Sequence, residues 1–411
     1  MVRFGRNLPK TPVLHITPIF FSPIQATFLR PKPSLTTYDS PLIPHKMEPT
    51  NYSHTVLRAF VRDIFLKMGC PPADADLSAD VLVSADLRGV DSHGVARLNG
   101  YVRLMDLNRL NPKPNVQVVY ETPGTAVADG DAGLGLVVAP FAMRTAIEKA
   151  RQVGTGWVAI RNSNHFGIAG YHAMLALPEG MIGFAMTNAG PLVAPTFSKD
   201  KLLGTNPIAV AIPAGEEPPF VLDMATTTAA YGKLEILQRK NQPTPTGWVQ
   251  DATGLPDTDA HAVRKGGALL PLGGDREHGS HKGYGLGAWV DIFSGVLAGA
   301  NYGPWVPPFA TAGFMDSAQK LVGSGTGHFV GAMRVDAFRP AEEFATHMDN
   351  WIRTFRKAEP VPGQTAVLVP GDPERLLEAQ RRAEGIPLLP AVADGLRQLG
   401  ERFGVAWPEK S

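Results

Sequence analysis

A series of short apolar segments between about Val118 and Met224 constrains the fold more than any other feature of the chain. Four of these segments have the character of buried strands, and they cover residues 157–160, 184–186, 208–212 and 220–222. Helical patterns lie between them, over 137–150 and 168–177. This alternation predicts an α/β or mixed α+β domain. Several of the strands end in polar residues, and strand ends are where sites are commonly built.

Other patterns flank this region. Before it, apolar residues recur at helical spacing from Leu57 to Met68, and a second helix runs from about Pro71 to a stop at Gly89. After it, residues 240–283 are rich in glycine, proline and charge, which predicts a long loop or lid before a helix over 285–297. A strand over 327–333 and two polar helices after Pro370 complete the prediction.

Composition excludes several classes of function. The 411 residues include 39 Lys and Arg against 38 Asp and Glu, so no overall field attracts nucleic acid or an anionic membrane. Cys70 is the only cysteine, which fits a reducing compartment, and we expect a cytoplasmic protein. The most apolar long stretch, 286–300, carries Asp291 and is too short to cross a bilayer.

The first 46 residues differ from the rest. They are basic and rich in proline, with no acidic residue before Asp39, and we expect them to be disordered. They resemble a transit peptide in charge, although their prolines disfavour an amphipathic helix. Met47 directly precedes the first patterned region, so a start site placed too far upstream is an equal alternative to targeting.

The segment from Gly89 to Arg97 is the first that could carry chemistry. If Asp91 or Ser92 caps a following helix, then His93, Arg97 and Tyr101 fall on one stripe of it. Histidine titrates near neutral pH, so His93 could exchange a proton with a hydroxyl group, with Ser92 orienting the imidazole or the substrate oxygen. The planar fork of Arg97 could hold a carboxylate. Such a set suits hydride transfer to and from a small 2-hydroxy acid.

A second polar turn runs from Asn162 to Gly167, between a strand and a helix. Such a turn directs backbone N–H groups at an anion such as the diphosphate of a dinucleotide. His165 is therefore either a second acid/base or a cofactor contact. Small and amide residues follow other strands, at 187–190 and 204–207, and permit close backbone approach.

Asp223 and Lys282 are the remaining candidates. Asp223 could accept a hydrogen bond from a ribose hydroxyl, and Lys282 could supply a fixed positive charge near phosphates or a carboxylate. Glycines 283, 285 and alanine 288 form a formal G-x-G-x-x-A, but the polar stretch before them is not the buried strand that a Rossmann fingerprint needs. No two histidines lie four residues apart and no HExxH occurs, so we expect no metal site.

Six segments in this order resemble the malate/L-lactate dehydrogenase type 2 family, also called L-sulfolactate dehydrogenase-like. Its relatives include ureidoglycolate dehydrogenase, diketogulonate reductase and piperideine-2-carboxylate reductase. The matching segments are 85–95 (ADLRGVDSHGV), 163–167 (SNHFG), 204–207 (GTNP), 222–226 (LDMAT), 281–286 (HKGYGL) and 370–374 (PGDPE). Each is weak alone, and their specificity lies in their combined order over about residues 50 to 390.

The resemblance implies a family-specific α/β fold that is not a Rossmann fold, a homodimer, and NAD or NADP bound near the subunit interface. It implies that Ser92 and His93 are the catalytic pair, that Arg97 binds the substrate carboxylate, and that His165 serves proton transfer or cofactor contact. Tyr101 and Thr205 are expected to contact the substrate. The cofactor contacts expected are His165, Phe166, Gly167, Ile168, Ala169, Asn188, Ala189, Asp223, Met224, Ala225 and Lys282.

The expected domains are an extension over 1–46, a helical lobe with the catalytic helix over 47–120, a nicotinamide-binding α/β domain over 121–300, and a segment over 301–411 that returns to the first lobe. The chain departs from the family pattern in three places. Residues 1–46 have no counterpart, and the stretch 239–281 is longer than usual. Ala189 and Gly190 stand where many members have serines, which removes one hydroxyl contact to the cofactor.

Overall fold

The computed structural model describes residues 48–309 and 322–408. The extension over 1–46 lies outside the described residues, so its predicted disorder stays a prediction. The helices are α1 His54–Lys67, α2 Pro72–Leu87, α3 Leu98–Asp106, α4 Gly135–Val153, α5 Ala169–Met174, α6 Tyr231–Arg239, α7 Ser280–Asp291, α8 Ala341–Arg356, α9 Asp372–Glu384 and α10 Pro390–Phe403. The strands are β1 Thr50–Tyr52, β2 Gln117–Glu121, β3 Thr125–Gly133, β4 Thr155–Ser163, β5 Met181–Thr187, β6 Ile208–Ile212, β7 Phe220–Met224, β8 Val249–Gln250, β9 Pro256–Asp257, β10 Ala268–Leu269, β11 Thr326–Arg334 and β12 Ile386–Leu388.

A seven-stranded mixed sheet forms the centre of the molecule, in the order β2-β3-β4-β11-β5-β6-β7. Among the described strands of this sheet only β3 and β4 pair in parallel, and α4 connects them. The late strand β11 lies between β4 and β5 and is antiparallel to both. A Rossmann domain needs a largely parallel sheet with its first strand followed by a glycine-rich turn. The predicted mixed α/β fold without a Rossmann unit is therefore confirmed.

The two faces of this sheet are covered differently. Alanines and other small residues of α4 and α5 pack on one face, with Ala146 and Ala173 fully buried against the sheet. The other face is covered in part by α7 and the π-helical turn that follows it, Ile292–Val296. Beside that helix the face stays open as an apolar concavity of about 740 Å³.

The first and last elements of the chain share a second core. Side chains of α1, α2 and α3 pack with α10, and β1 pairs antiparallel with β12. The Trp407 ring makes edge-to-face contacts with the rings of Tyr52 and Phe60. The N-terminal and C-terminal helices thus form the expected second lobe, although the boundaries predicted between the domains stay a prediction.

The region predicted as a loop over 240–283 contains the short three-stranded sheet β10-β8-β9, and its Val249 packs in a buried cluster with Leu234 of α6 and with Leu203. Helix α7 begins at Ser280, five residues before the predicted start, and so includes Lys282 in its first turn. In the part of the chain that the structure describes, no helix is both long and apolar enough to span a membrane.

Candidate active site

The chain between α2 and α3 carries the predicted catalytic residues. Gly89 follows the end of α2 with a φ of 78°, and the Val90 N–H donates back to the Ala85 carbonyl. This is a glycine-terminated helix end, which reverses the chain sharply. Two short 3₁₀ turns follow, over Asp91–His93 and Val95–Arg97, before α3 begins.

The prediction that one helix carries His93, Arg97 and Tyr101 is therefore wrong in its local structure. In a continuous α-helix the Val95 N–H would donate to the carbonyl four residues earlier. Here it donates instead to the Asp86 carboxylate, at 2.7 Å. Gly94 lies between the two turns at a φ of −86° and a ψ of −149°, which is far from helical. The functional groups nevertheless meet, through tertiary contacts rather than through helical periodicity.

Two imidazoles face each other at the centre of the site. The rings of His93 and His165 are stacked, with centroids 5.5 Å apart and planes at 20°. Ser92 Oγ lies 2.9 Å from His93 Nδ1, and the Tyr101 hydroxyl lies 2.7 Å from His165 Nδ1. The structure thus brings together Ser92, His93, Tyr101 and His165 from two distant parts of the chain.

The hydrogen bonds of His165 define its tautomer. The Gly167 backbone N–H can only donate, and it points at His165 Nδ1 over 3.3 Å. Nδ1 must therefore accept, so the neutral ring carries its proton on Nε2. Burial, followed by the nearby His93 and Arg97, lowers the pKa of His165 well below its usual value. The neutral His165 ring is consequently a hydrogen-bond donor at Nε2.

Arg97 is the positive group of the site. Its Nε donates to the Ser92 carbonyl, and no carboxylate of the described residues pairs with its guanidinium. Burial and then the charge of Arg97 lower the pKa of His93 to about 4. The site therefore combines a guanidinium that lacks an acidic partner in the described chain with two imidazoles that are neutral at pH 7.

The side chains of the turn after His165 are buried in the protein. The Phe166 ring is 1% exposed and lies between the imidazoles of His172 and His328, at 4.5 and 4.7 Å. Ile168 and Ala169 are also buried, and Gly167 has a φ of 80°. If these residues bind a cofactor, as predicted, they offer it main-chain groups.

The ends of β5 and β6 form a hydrogen-bonded network. Asn188 is 1% exposed, and its amide donates to Asp291 and to the Asn301 carbonyl while accepting from the Gly327 N–H. The Ala189 N–H donates to the side chain of Asn206, next to Thr205. The side chain of Asn188 therefore holds α7 and β11 in place, and its predicted cofactor contact stays untested.

The last two residues of β7 point to opposite faces of the sheet. Asp223 accepts the Gly170 N–H at the beginning of α5 over 2.7 Å, while Met224 lines the apolar concavity on the opposite face. Asp223 is otherwise exposed to solvent. Ala225 is half-buried beside them. Lys282 is exposed on α7 and makes no ion pair with a described residue.

Sequence reasoning did not find two residues of this site. The Phe309 ring lies 4.5 Å from His165 and 5.2 Å from Tyr101, and it comes from a proline-rich loop with no periodic signal. Asp86 is the other: it lies within a matched motif, but its position in a helical pattern did not distinguish it from an ordinary exposed carboxylate. Its burial beneath Gly94 depends on the tertiary structure.

Comparisons with known proteins agree with this description. The family model for malate/L-lactate dehydrogenase matches residues 52–397. A malate dehydrogenase from Pyrococcus abyssi is 43% identical over 350 residues, which are 85% of this chain and 94% of that protein. An L-sulfolactate dehydrogenase from Methanocaldococcus jannaschii is 39% identical over 85% of this chain and 96% of its own length. The structure of a malate dehydrogenase from Pyrococcus horikoshii superposes with a TM-score of 0.80, at 38% identity, covering 90% of this chain and all of that chain.

The non-Rossmann mixed sheet and these relatives define the protein as an oxidoreductase of the dehydrogenase class. The chain belongs to the malate/L-lactate dehydrogenase family, which confirms the resemblance found in its sequence motifs.

Proposed function

We propose that the protein transfers a hydride between NAD or NADP and a small pair of 2-hydroxy and 2-oxo acids, of the malate or lactate kind. One observation carries this proposal: the Arg97 guanidinium, without an acidic partner in the described chain, lies beside the stacked imidazoles of His93 and His165. A guanidinium in such surroundings favours an anion, and two neutral imidazoles can hold and move one proton.

Arg97 binds the substrate carboxylate in this account. Its Nε is engaged by the Ser92 carbonyl, which orients the guanidinium and leaves its two terminal nitrogens for the two oxygens of a carboxylate. Tyr101 and Thr205 are proposed as further substrate contacts. Anchoring the carboxylate fixes the direction of the C2–H bond, which hydride transfer requires.

The two histidines take different roles. Because His165 carries its proton on Nε2, it donates a hydrogen bond to the substrate oxygen and cannot accept the hydroxyl proton there in its neutral form. His93 is the proton acceptor during oxidation. If its Nδ1–H donates to Ser92 Oγ, then Nε2 is free to take the hydroxyl proton, and the same proton returns to the oxygen during reduction of the 2-oxo acid.

The residues present fit a nicotinamide dinucleotide. One carboxylate oxygen of Asp223 accepts a hydrogen bond from the Gly170 N–H. The other makes no hydrogen bond with a described residue, so it can accept one from a ribose hydroxyl. Gly170 also has no room for a side chain, since a Cβ there would lie 2.8 Å from that carboxylate. Lys282 can supply a positive charge for phosphate. The nicotinamide, when bound, supplies or accepts the hydride.

The test is a panel of substrates. Purified protein is mixed with NADH or NADPH and with oxaloacetate, pyruvate and a cyclic 2-imino acid, and the loss of absorbance of the reduced cofactor is followed. We expect turnover with a 2-oxo acid. Turnover confined to the imino acid would identify an imine reductase on the same fold. A cofactor that raises the melting temperature without any turnover would indicate a binding protein and contradict the proposal.

The pKa of His93 predicts the pH dependence of oxidation. The neutral ring is the active form, and burial followed by Arg97 lowers its pKa to about 4. We expect kcat/KM for the 2-hydroxy acid to stay level between about pH 8 and pH 5 and to fall only below that range, since kcat/KM reports the free enzyme. A loss centred near the ordinary histidine value of 6.5 would contradict this environment for His93.

We also propose that the protein is a homodimer that uses the open apolar face of the sheet. Along α7 and its π-helical extension, Leu286, Trp289, Ile292 and Leu297 are each between 36% and 57% exposed. Apolar surface of this extent is unusual on a monomer. We expect light scattering to give a dimer for the wild type and a monomer for Trp289→Glu, with Trp351→Glu as a control of equal exposure on α8. A monomeric wild type would overturn this proposal.

A further inference from the structure

Asp86 is a buried carboxylate that the proposed chemistry does not use. It lies in the last turn of α2 and is 1% exposed. Burial raises the pKa of Asp86 well above its usual value, and the hydrogen bond from Val95 acts in the opposite direction. A carboxylate in such a position is costly to keep unless it makes a specific structural contribution.

The carboxylate occupies the space that a side chain at Gly94 would need. A Cβ on Gly94 would lie 2.0, 2.1 and 2.3 Å from the three carboxyl atoms of Asp86. The Gly94 backbone therefore crosses directly over the acid, and the next N–H, that of Val95, donates to it. Gly94 and Asp86 fit together as one unit.

A second contact holds the same turn from the C-terminal side. Arg381 of α9 donates to the Asp86 backbone carbonyl and pairs with the Asp91 carboxylate. The segment with Ser92 and His93 is thus fixed at its beginning by Arg381 and at its end by the Asp86 side chain. Between these points the chain has little freedom to move His93 relative to His165.

We propose that Asp86 is a positioning residue that sets the placement of His93 relative to Arg97. The Asp86 carboxylate accepts the Val95 N–H, which in a continuous helix would donate to the carbonyl four residues earlier. The helical conformation is therefore interrupted at Gly94, between the turn that carries His93 and the turn that carries Arg97. This break leaves His93 against the His165 ring and brings Arg97 Nε to the Ser92 carbonyl. The inference rests on the proposed function for the roles of His93 and Arg97.

The experiment compares two substitutions at one position. Asp86→Asn keeps an oxygen that accepts the Val95 N–H, whereas Asp86→Leu keeps a similar volume without an acceptor. We expect Asp86→Asn to retain most of kcat and Asp86→Leu to lose about 10²-fold, because a displacement of about 1 Å of a reacting group has an effect of that size. The KM of the cofactor should change little in either variant.

Asp349 provides a matched control. It is also a buried carboxylate, 6% exposed, and accepts the backbone N–H groups of Gly215, Glu216 and Glu217. Asp349→Leu should lower the melting temperature and leave kcat per folded molecule unchanged. If Asp86→Leu behaves like Asp349→Leu, Asp86 has only a structural role and the proposal is overturned.

Two further measurements keep the outcome decisive. If Asp86→Leu does not fold, Gly94→Ala replaces it: the new Cβ displaces the carboxylate, and kcat should fall as far as expected for the leucine variant. The imidazole NMR signals of His93 provide a readout without turnover, and they should shift in Asp86→Leu but not in Asp86→Asn. A wild type without dehydrogenase activity would refute the proposed function alone, while unshifted His93 signals in Asp86→Leu would refute the role of Asp86 alone.

Discussion

His93→Ala is expected to lower kcat for the oxidation of a 2-hydroxy acid by about 10² to 10⁴-fold, the range that a positioned acid/base contributes. The physical reason is that no other described side chain of the site can replace it. His165 Nδ1 is occupied by the Gly167 N–H and the Tyr101 hydroxyl, and its Nε2 carries a proton. The proton of the reacting oxygen would then have to exchange with water.

The dissociation constant of the reduced cofactor, measured by its fluorescence, should change little in this variant. His347→Ala, which removes an exposed histidine from α8, serves as the matched control and should keep full activity. Full activity of His93→Ala would move the proton-transfer role to His165. An equal loss in both variants would show that the effect does not arise at the site.

Arg97→Lys should have the second largest effect, and mainly on substrate affinity. Lysine keeps the positive charge but loses the planar fork and the hydrogen bond from Nε to the Ser92 carbonyl. One charged hydrogen bond contributes about 1.5–3 kcal/mol, so we expect KM for the 2-oxo acid to rise about 10 to 100-fold. The measurement is steady-state kinetics with the substrate varied at saturating cofactor.

Arg103→Lys is the control for this substitution, since Arg103 is exposed on α3, six residues further along the chain. It should leave both kcat and KM unchanged. If Arg97→Lys lowers kcat while KM stays at the wild-type value, Arg97 does not hold the substrate carboxylate in the ground state. Another positively charged side chain near the site would then have to bind the substrate carboxylate.

The sequence predicted the central elements of the fold because their patterns are local. Strand β6 has the predicted bounds, and β4, β5, β7 and β11 contain the predicted apolar segments. Each of these segments carries apolar residues on both faces, one face packed on α4 and α5 and the other partly covered by α7 or lining the concavity, so its apolar character is continuous and easily recognised. Helix α8 was not predicted. The order of the strands, with β11 inserted between β4 and β5, depends on contacts between distant residues that no local pattern contains.

The same distinction applies to the site. Residue types and spacing singled out Ser92, His93, Arg97 and His165, but the single helix predicted to carry His93, Arg97 and Tyr101 does not form. The deciding contact is a hydrogen bond from Val95 to Asp86, nine residues earlier on another element. Asp223 and Met224 illustrate a further limit: they are adjacent in one motif, yet strand geometry directs them to opposite faces of the sheet.

The transfer of the hydride itself is the most direct test of the account. The protein is incubated with reduced nicotinamide cofactor carrying deuterium at both C4 positions and with oxaloacetate or pyruvate, and the product is examined by NMR. We predict deuterium at C2 of a single enantiomer of the 2-hydroxy acid, formed by the wild type and nearly abolished in His93→Ala. A product without deuterium at C2, or equal labelling by the two proteins, would contradict a reaction in which Arg97 and the paired imidazoles hold the 2-oxo acid.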